Sequence, residues 1–323
     1  MADILITENI KGSAIDALKQ QFEVSFEPDL WQDSQALMEK VALYKAVIVR
    51  NQTQVTRELI QASPSLCVIG RSGAGLDNID VAAATEAGIV VAFTPEQNSI
   101  SVAELALGMM LSLARHIAPA DRDTKAGGWN RHQFTGVELY GKTLGIIGLG
   151  RIGFRTAQRA KAFGMDIIGY DEYANPDAIA VSELRAPLFS LDDVLKQSDF
   201  ISCHLPLTPQ TQSIFDYEKF CLMKPSAYFV NTSRGEVVDE AGLLQALEEG
   251  KLAGAGLDVR QSEPPAVDAF CKLDSVIMTP HIAAFTKEGQ GRVGESVCRD
   301  VAAVISGKPA KNFANFSVPD KRL

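Results

Sequence analysis

The sequence predicts an α/β protein built as two doubly wound parallel-sheet domains, and three observations predict it. Short apolar runs of strand length alternate with amphipathic helical patterns along the chain, a rhythm that implies parallel strands with helices on both faces. At 323 residues the chain exceeds one ordinary domain and fits two. One stretch, GKTLGIIGLGRIGFRTAQRAKAFGMDIIGYD at 141–171, sets a glycine pattern between a strand and a helix.

In order, residues 4–7 read as a strand, 12–20 as a helix and 22–25 as a strand. A helix over 33–41 leads to a strand at 46–50, a helix at 56–62, a strand at 66–71, a helix at 81–87 and a strand at 89–92. Two of these strand ends carry unusual sequence, Val49-Arg50-Asn51 and Arg71-Ser72-Gly73-Ala74-Gly75. The run NSISVAELALGMMLSLARH at 98–116 predicts a long helix, with Ser99 or Ser101 as its cap and Glu104 in its first turn. Being apolar on nearly every side, it is expected to be buried between domains or at a subunit interface. Past the glycines, strands are expected at 200–204, 227–231, 253–259 and 275–278, with a helix at 240–249. A helix at 287–306 should return the chain to the first domain. The expected domains are therefore 1–99 with 286–323, and 100–285, joined by two crossings that act as a hinge.

The glycine stretch has a part-by-part physical reading. The strand 143–148 breaks into Gly148-Leu149-Gly150-Arg151-Ile152-Gly153, and a helix follows that Gly164 ends. Gly148 permits a tight turn, Gly150 lets a pyrophosphate approach the backbone, and Gly153 lets helix and strand pack closely. The helix start at Arg151 turns free N–H groups and a positive dipole end to the phosphates. Asp171 ends the next strand about twenty residues on, where a carboxylate accepts hydrogen bonds from a ribose. Glu172 follows, with no Arg or Lys beside it for a 2′-phosphate, so the cofactor expected of this Rossmann domain is NAD(H) rather than NADP(H).

Composition narrows the partners. A net charge of −9 and a pI near 5.1 disfavour nucleic acid and anionic membranes. The five cysteines, at 67, 203, 221, 271 and 298, are scattered and never form a CxxC pair, which fits reduced thiols. The start MADILITENI lacks a basic leader, and no apolar run reaches membrane-spanning length, so a cytoplasmic protein is expected. No His, Cys and carboxylate spacing matches a metal site.

Open α/β sheets bind ligands outside the carboxyl ends of their strands. Three expected strand ends in the second domain deliver Arg234 (in Thr232-Ser233-Arg234-Gly235), Glu263 (before Pro264-Pro265) and His281 (in Thr279-Pro280-His281). That trio suits hydride transfer to a 2-oxo acid. A histidine supplies the proton that the developing alkoxide needs. A carboxylate on its far nitrogen orients the ring and favours the protonated form. An arginine binds the substrate carboxylate and polarises the adjacent carbonyl.

GKTLGIIGLGRIG, NTSRGEVVDE, the 258–265 stretch and TPHIAA together resemble the NAD-dependent D-2-hydroxyacid dehydrogenases, and GRSGAGLDNIDVAAAT and NSISVAEL extend the likeness over nearly the whole chain. The resemblance implies a Rossmann NAD-binding domain plus a flavodoxin-like substrate domain, with Arg234, Glu263 and His281 as the catalytic residues. It implies Asp258 as the acid for the nicotinamide amide, cofactor contacts at Thr232 and Ala283, and an adenosine-side loop with His204, Pro206 and Thr211. It implies that Ser72, Gly73 and Ala74 offer backbone N–H groups to the substrate carboxylate, and that the 98–116 region builds a homodimer. VIVRNQTQVT, GRSGAGLDN and WNRHQFTGVELYGKTLG are most similar to the family's 3-phosphoglycerate dehydrogenases. On that likeness Arg50 and Arg71, with Arg131 or His132 from a neighbouring subunit, hold an anionic substrate tail, against the alternative of structural ion pairing. The chain departs from the family at Arg260, where an aromatic is usual, and at Phe285, in a run of small residues. Those departures, taken to lie near the active face, leave open a phosphate, a sulfonate or a second carboxylate as the tail. Hydroxypyruvate or glyoxylate reduction, and an NADH-sensing binding protein, stand as rival readings.

Overall fold

All strand pairings within the two sheets are parallel in the computed structural model, which describes residues 3–173 and 183–320. The chain divides into one unit of Met1–Asn98 with Phe285–Leu323 and another of Ser99–Ala284.

The first unit holds β1 (Ile4–Ile6), β2 (Val24–Phe26), β3 (Ala46–Val49), β4 (Val68–Arg71) and β5 (Val90–Ala92), in the order β2-β1-β3-β4-β5. This is the flavodoxin-like order, with its switch point between β1 and β3. Its helices Ser34–Val41, Arg57–Gln61 and Val81–Glu86 begin where Asp33, Thr56 and Asp80 accept the third helical N–H, which satisfies a donor the helix cannot. The last helix, Lys287–Ile305, is capped in the same way by Thr286 and packs on β4. Gly70 allows that packing, because a Cβ there would lie 2.6 Å from Val301 Cγ2. Val297, Val301 and Val304 join Ile4, Ile6, Ile48 and Val68 in one apolar cluster, so the chain's last segment completes this unit's core.

The second unit holds β6 (Thr143–Ile147), β7 (Asp166–Tyr170), β8 (Phe200–Cys203), β9 (Tyr228–Asn231), β10 (Gly254–Leu257) and β11 (Val276–Met278), in the order β11-β10-β9-β8-β6-β7. Leu188 adds a parallel bridge to Gly169 beyond β7. With that bridge counted as a strand, the order is that of a dinucleotide-binding sheet, with its switch between β6 and β8. The register aligns the strand ends in one row: Tyr170 pairs with Ile147, Ile147 with Cys203, Cys203 with Asn231, and Asn231 with Leu257 beside Met278. Everything that follows those residues therefore emerges on one edge.

The structure corrects the reading of the long helix. It spans Ser99–Ala114, so Ser101 lies inside it and Glu104 lies beyond the first turn, where it meets Arg159 at 3.3 Å. The helix packs on helix Arg151–Ala162 and on β9 and β10 of its own unit, with Met109 against the bare backbone of Gly256. Helix Ile117–Lys125 was not anticipated, because its polar pattern and Pro119 conceal it; a proline is tolerated in a first turn, whose N–H groups have no helical partner. No single helix among the described residues is long and apolar enough to cross a membrane.

Candidate active site

At the β6–β8 switch point the glycines show distinct constraints. Gly148 has φ +94°, and a Cβ there would lie 2.9 Å from the His204 carbonyl group. Gly150 faces open space, with nothing within 4 Å of where its Cβ would be. At Gly153 a Cβ would lie 2.0 Å from the Gly148 carbonyl oxygen, so only glycine lets the helix sit this close to the turn. Helix Arg151–Ala162 starts here, with no side chain capping it, Arg151 exposed and Ile152 half-buried. Asp171 anchors the loop from the end of β7: one carboxylate oxygen accepts the Leu149 N–H at 2.7 Å, and the other accepts that of Tyr173 at 2.9 Å.

On the adjacent strand ends, two buried polar atoms lack a hydrogen-bond partner among the described residues: His204 Nδ1 and Thr232 Oγ1. His204 Nε2 lies 3.0 Å from Ser202 Oγ, and burial pushes the ring's pKa down to about 3, so it is neutral. Thr211 Oγ1 donates to the Pro206 carbonyl at 2.6 Å and closes the loop between them. An open glycine cradle, an uncapped helix start, a fixed carboxylate and two orphaned polar atoms on one sheet edge fit a dinucleotide. Among the described residues no group of three or more His, Cys, Asp or Glu could hold a metal ion.

Further along the same edge stand Arg234, Glu263 and His281. Asn231 shapes the first turn: its side-chain oxygen accepts the Ser233 N–H at 3.0 Å and hydroxyl at 2.7 Å, and its amide donates to the Arg234 carbonyl at 2.8 Å. Arg234 is half-buried, and its Nη1 donates to the Ser233 carbonyl at 2.7 Å. Glu263 and His281 form a pair with Oε2 2.7 Å from Nδ1. An ionised Glu263 makes Nδ1 the protonated nitrogen and directs Nε2 away from the pair as the exchangeable one. Burial works to raise the Glu263 pKa, but His281, the Arg260 N–H and the nearby Arg234 charge together hold it below the usual range.

Asp258 emerges as the residue that holds His281 in place. It is 1% exposed, and its carboxylate accepts from Thr279 Oγ1 at 2.5 Å and from the N–H groups of Ile282 and Ala283 at 2.9 Å each. Its carbonyl accepts the His281 N–H at 2.8 Å. These four contacts hold His281 at φ +53°, a left-handed conformation costly for a residue with a Cβ. Sequence reasoning placed Asp258 near the nicotinamide and missed this role, which arises from hydrogen bonds across about twenty residues of chain.

Arg260 is corrected. The sequence placed it as an added cation near the active face, but it is 7% exposed and doubly paired, with Glu240 and with Asp268.

The candidate tail residues belong to the first unit. Glu8 at the switch point is 2% exposed and accepts four backbone N–H groups, those of residues 50–53. Asn78 donates to the carbonyls of Arg50 and Thr53. The Arg50 head stacks on the Phe285 ring, Cζ 3.9 Å from the centroid, and Nη2 donates to Gln290 Oε1 at 2.8 Å. Burial lowers the Arg50 pKa, against the opposing pull of Glu8. Arg71 is buried, folds over Gly73 and donates to the Ser72 carbonyl at 2.8 Å. The Ser72 N–H is taken by Val49 and the Gly73 N–H by Arg71, so two donors expected to meet a carboxylate are committed to the fold. Ala74 follows them, half-buried, while Arg131 and His132 are exposed in the second unit.

Comparison with known proteins identifies the family and the fold. Residues 107–283 match the D-isomer specific 2-hydroxyacid dehydrogenase NAD binding domain. A D-3-phosphoglycerate dehydrogenase of Methanocaldococcus jannaschii is 45% identical over 100% of this chain and 61% of its own length. One from Synechocystis is 41% identical over 98% of this chain and 56% of its own length. The chain thus spans about 60% of the length of such relatives. Among solved structures, an Aquifex aeolicus D-lactate dehydrogenase complexed with NAD and lactic acid superposes with a TM-score of 0.85 at 30% identity, covering 97% of this chain and 99% of that one. A glyoxylate reductase from Paecilomyes thermophila does so at 0.86 and 32% identity, covering 97% and 98%.

Proposed function

Because the chain belongs to the D-isomer specific 2-hydroxyacid dehydrogenase family, we propose that it interconverts a D-2-hydroxy acid and its 2-oxo acid with NAD(H), on a substrate with an anionic tail such as 3-phosphoglycerate. The observation that carries the reading is the Glu263–His281 pair at 2.7 Å, on the sheet edge that holds the glycine cradle. NADH, when bound by Gly148, Gly150, Gly153, Asp171 and the atoms left unpaired at His204 and Thr232, supplies the hydride. In reduction His281 gives its Nε2 proton to the oxygen on C2, and in oxidation it takes that proton back. Glu263 keeps the ring oriented through its contact with Nδ1. Arg234 grips the substrate carboxylate and polarises the carbonyl beside it. The acidic pair Asp171-Glu172 disfavours a 2′-phosphate and supports NAD(H) over NADP(H).

Arg50 supports the anionic tail. Its head is half-buried against a neutral amide and a neutral ring, and the nearby Glu8 carboxylate is turned to backbone N–H groups. A partly desolvated cation whose direct contacts are neutral is stabilised by an arriving anion. NADH oxidation should be followed with 3-phosphohydroxypyruvate, 3-sulfopyruvate, oxaloacetate, hydroxypyruvate, glyoxylate and pyruvate. One of the first three should be strongly preferred. Arg50→Ala should raise KM about 10- to 100-fold for that substrate, as loss of a charge-assisted contact does, and leave the uncharged tails unchanged. An even spread over glyoxylate and hydroxypyruvate would replace this reading with a small-acid reductase. NADH binding without turnover on any acid would make the protein a sensor.

The homodimer is proposed on a second surface. Helix Ile117–Lys125 buries none of its residues within its own unit, and Ile117, Trp129 and Tyr140 are 52%, 75% and 76% exposed. Three large exposed hydrophobic side chains on one stretch of chain fit a second copy. Sedimentation should return twice the chain mass, and Trp129→Glu should reduce it to one; a wild-type protein that sediments as a monomer removes the proposal. The cytoplasmic reading rests on five free cysteines, with Cys203 pushed up to about 11 by burial and so unreactive.

A further inference from the structure

The geometry points to Arg260 as a positioning residue that holds Glu263 and the Arg234 turn in register. The inference rests on the dehydrogenase reading above. Its side chain is locked at every edge. Nε and Nη2 form a fork on Glu240, with contacts of 2.8 and 2.9 Å, and Nη2 also meets Asp268. Cζ stands 4.8 Å from the Phe270 ring, and Nη1 donates to Met278 Sδ at 3.4 Å. Two carboxylates around one guanidinium compensate its charge fully, which separates this arginine from Arg50 with its neutral neighbours.

The Arg260 backbone is where the lock acts. Its N–H donates to Glu263 Oε1 at 3.2 Å, while the other oxygen of that carboxylate holds His281. Its carbonyl group packs directly on Gly235, the residue after Arg234: a Cβ at 235 would lie 2.0 Å from the Arg260 carbonyl carbon. Gln261 extends the clamp, its N–H donating to Glu240 at 2.8 Å and its side chain to the Val238 carbonyl at 2.6 Å. The backbone of one residue thus touches the turns that carry two of the three catalytic side chains, and an ion cluster around a buried guanidinium fixes that residue. A one-ångström drift in such a constellation is enough to slow chemistry substantially.

The test is kinetic, on the full chain. Arg260→Met should lower kcat about 10- to 100-fold, as displaced catalytic groups do. The Kd for NADH, read by its fluorescence, should stay within about twofold, because none of the cofactor residues touches Arg260; a merely structural role would instead alter stability and leave kcat of the folded fraction intact. Arg260→Lys, which keeps the charge but loses the fork, should fall between the two. It also decides the matter if the Met variant fails to fold. A folded Met or Lys variant with wild-type kcat would overturn the inference. A wild-type protein that turns over no 2-oxo acid would instead overturn the dehydrogenase reading, and the two failures are distinct.

Discussion

Replacement of His281 by Gln is expected to lower kcat about 10²- to 10⁴-fold, the range that loss of a positioned general acid–base produces. The amide keeps roughly the size of the ring and a hydrogen-bonding group toward Glu263, so the Asp258 contacts that hold the 279–283 turn should survive. NADH affinity should change little, because the glycine cradle and Asp171 stand at other strand ends. Steady-state kinetics with the preferred 2-oxo acid, beside NADH fluorescence titration, checks both halves. Near-normal turnover would remove His281 from the chemistry and with it the role given to Glu263. The pair also has a pH signature. The folded Glu263 pKa is lowered, so its contribution to stability is present above its ordinary value and is lost as pH falls through the folded one. Glu263→Gln should therefore flatten the acid limb of thermal stability.

Gly153→Ala is expected to damage the cofactor site. The added Cβ would lie 2.0 Å from the Gly148 carbonyl oxygen and 3.0 Å from Ile146 Cγ2, and neither the turn nor the buried strand can yield cheaply. Overpacking of this sort costs about 1–3 kcal/mol. Relief requires helix Arg151–Ala162 to move off the sheet, which carries its N-terminal N–H groups away from the phosphates. A fall in melting temperature should accompany a loss of NADH affinity of about 10-fold or more, equivalent to about 1.4 kcal/mol. Gly150→Ala is the contrasting control, since its Cβ would point into open space; it should leave stability unchanged. Equal melting temperatures for Gly153→Ala and wild type would show that the close approach does not constrain the helix.

Much of this protein is written in local pattern. Strand and helix alternation, the glycine spacing and the acid about twenty residues beyond it are properties of contiguous sequence. A parallel sheet with helical crossovers must place all its strand carboxyl ends on one edge. Arg234, Glu263 and His281 could therefore be assigned to that edge from the positions of β9, β10 and β11 alone. Caps such as Asp33 and Asp80 are local features too. The long helix was found but its start misread, since Ser99 and Ser101 both suit a cap and the backbone places both within the helix.

What the tertiary structure alone decided is the pairing of polar groups distant in sequence. Arg260 reads as a free cation until Glu240 and Asp268 are seen around it, and Arg50 reads as one of two equivalent tail candidates until Phe285 and Gln290 are placed against it. The N–H groups of Ser72 and Gly73 look available until Val49 and Arg71 are found to hold them. That the Asp258 carboxylate also ties down the 279–283 turn is seen only in the folded chain. Apolar periodicity encodes which face of an element is buried, whereas hydrogen bonds form between particular atoms within about 3 Å. The sequence by itself therefore determined the architecture and the edge on which the chemistry gathers. Only the folded chain decided which charges in each unit are structural and which have neutral contacts.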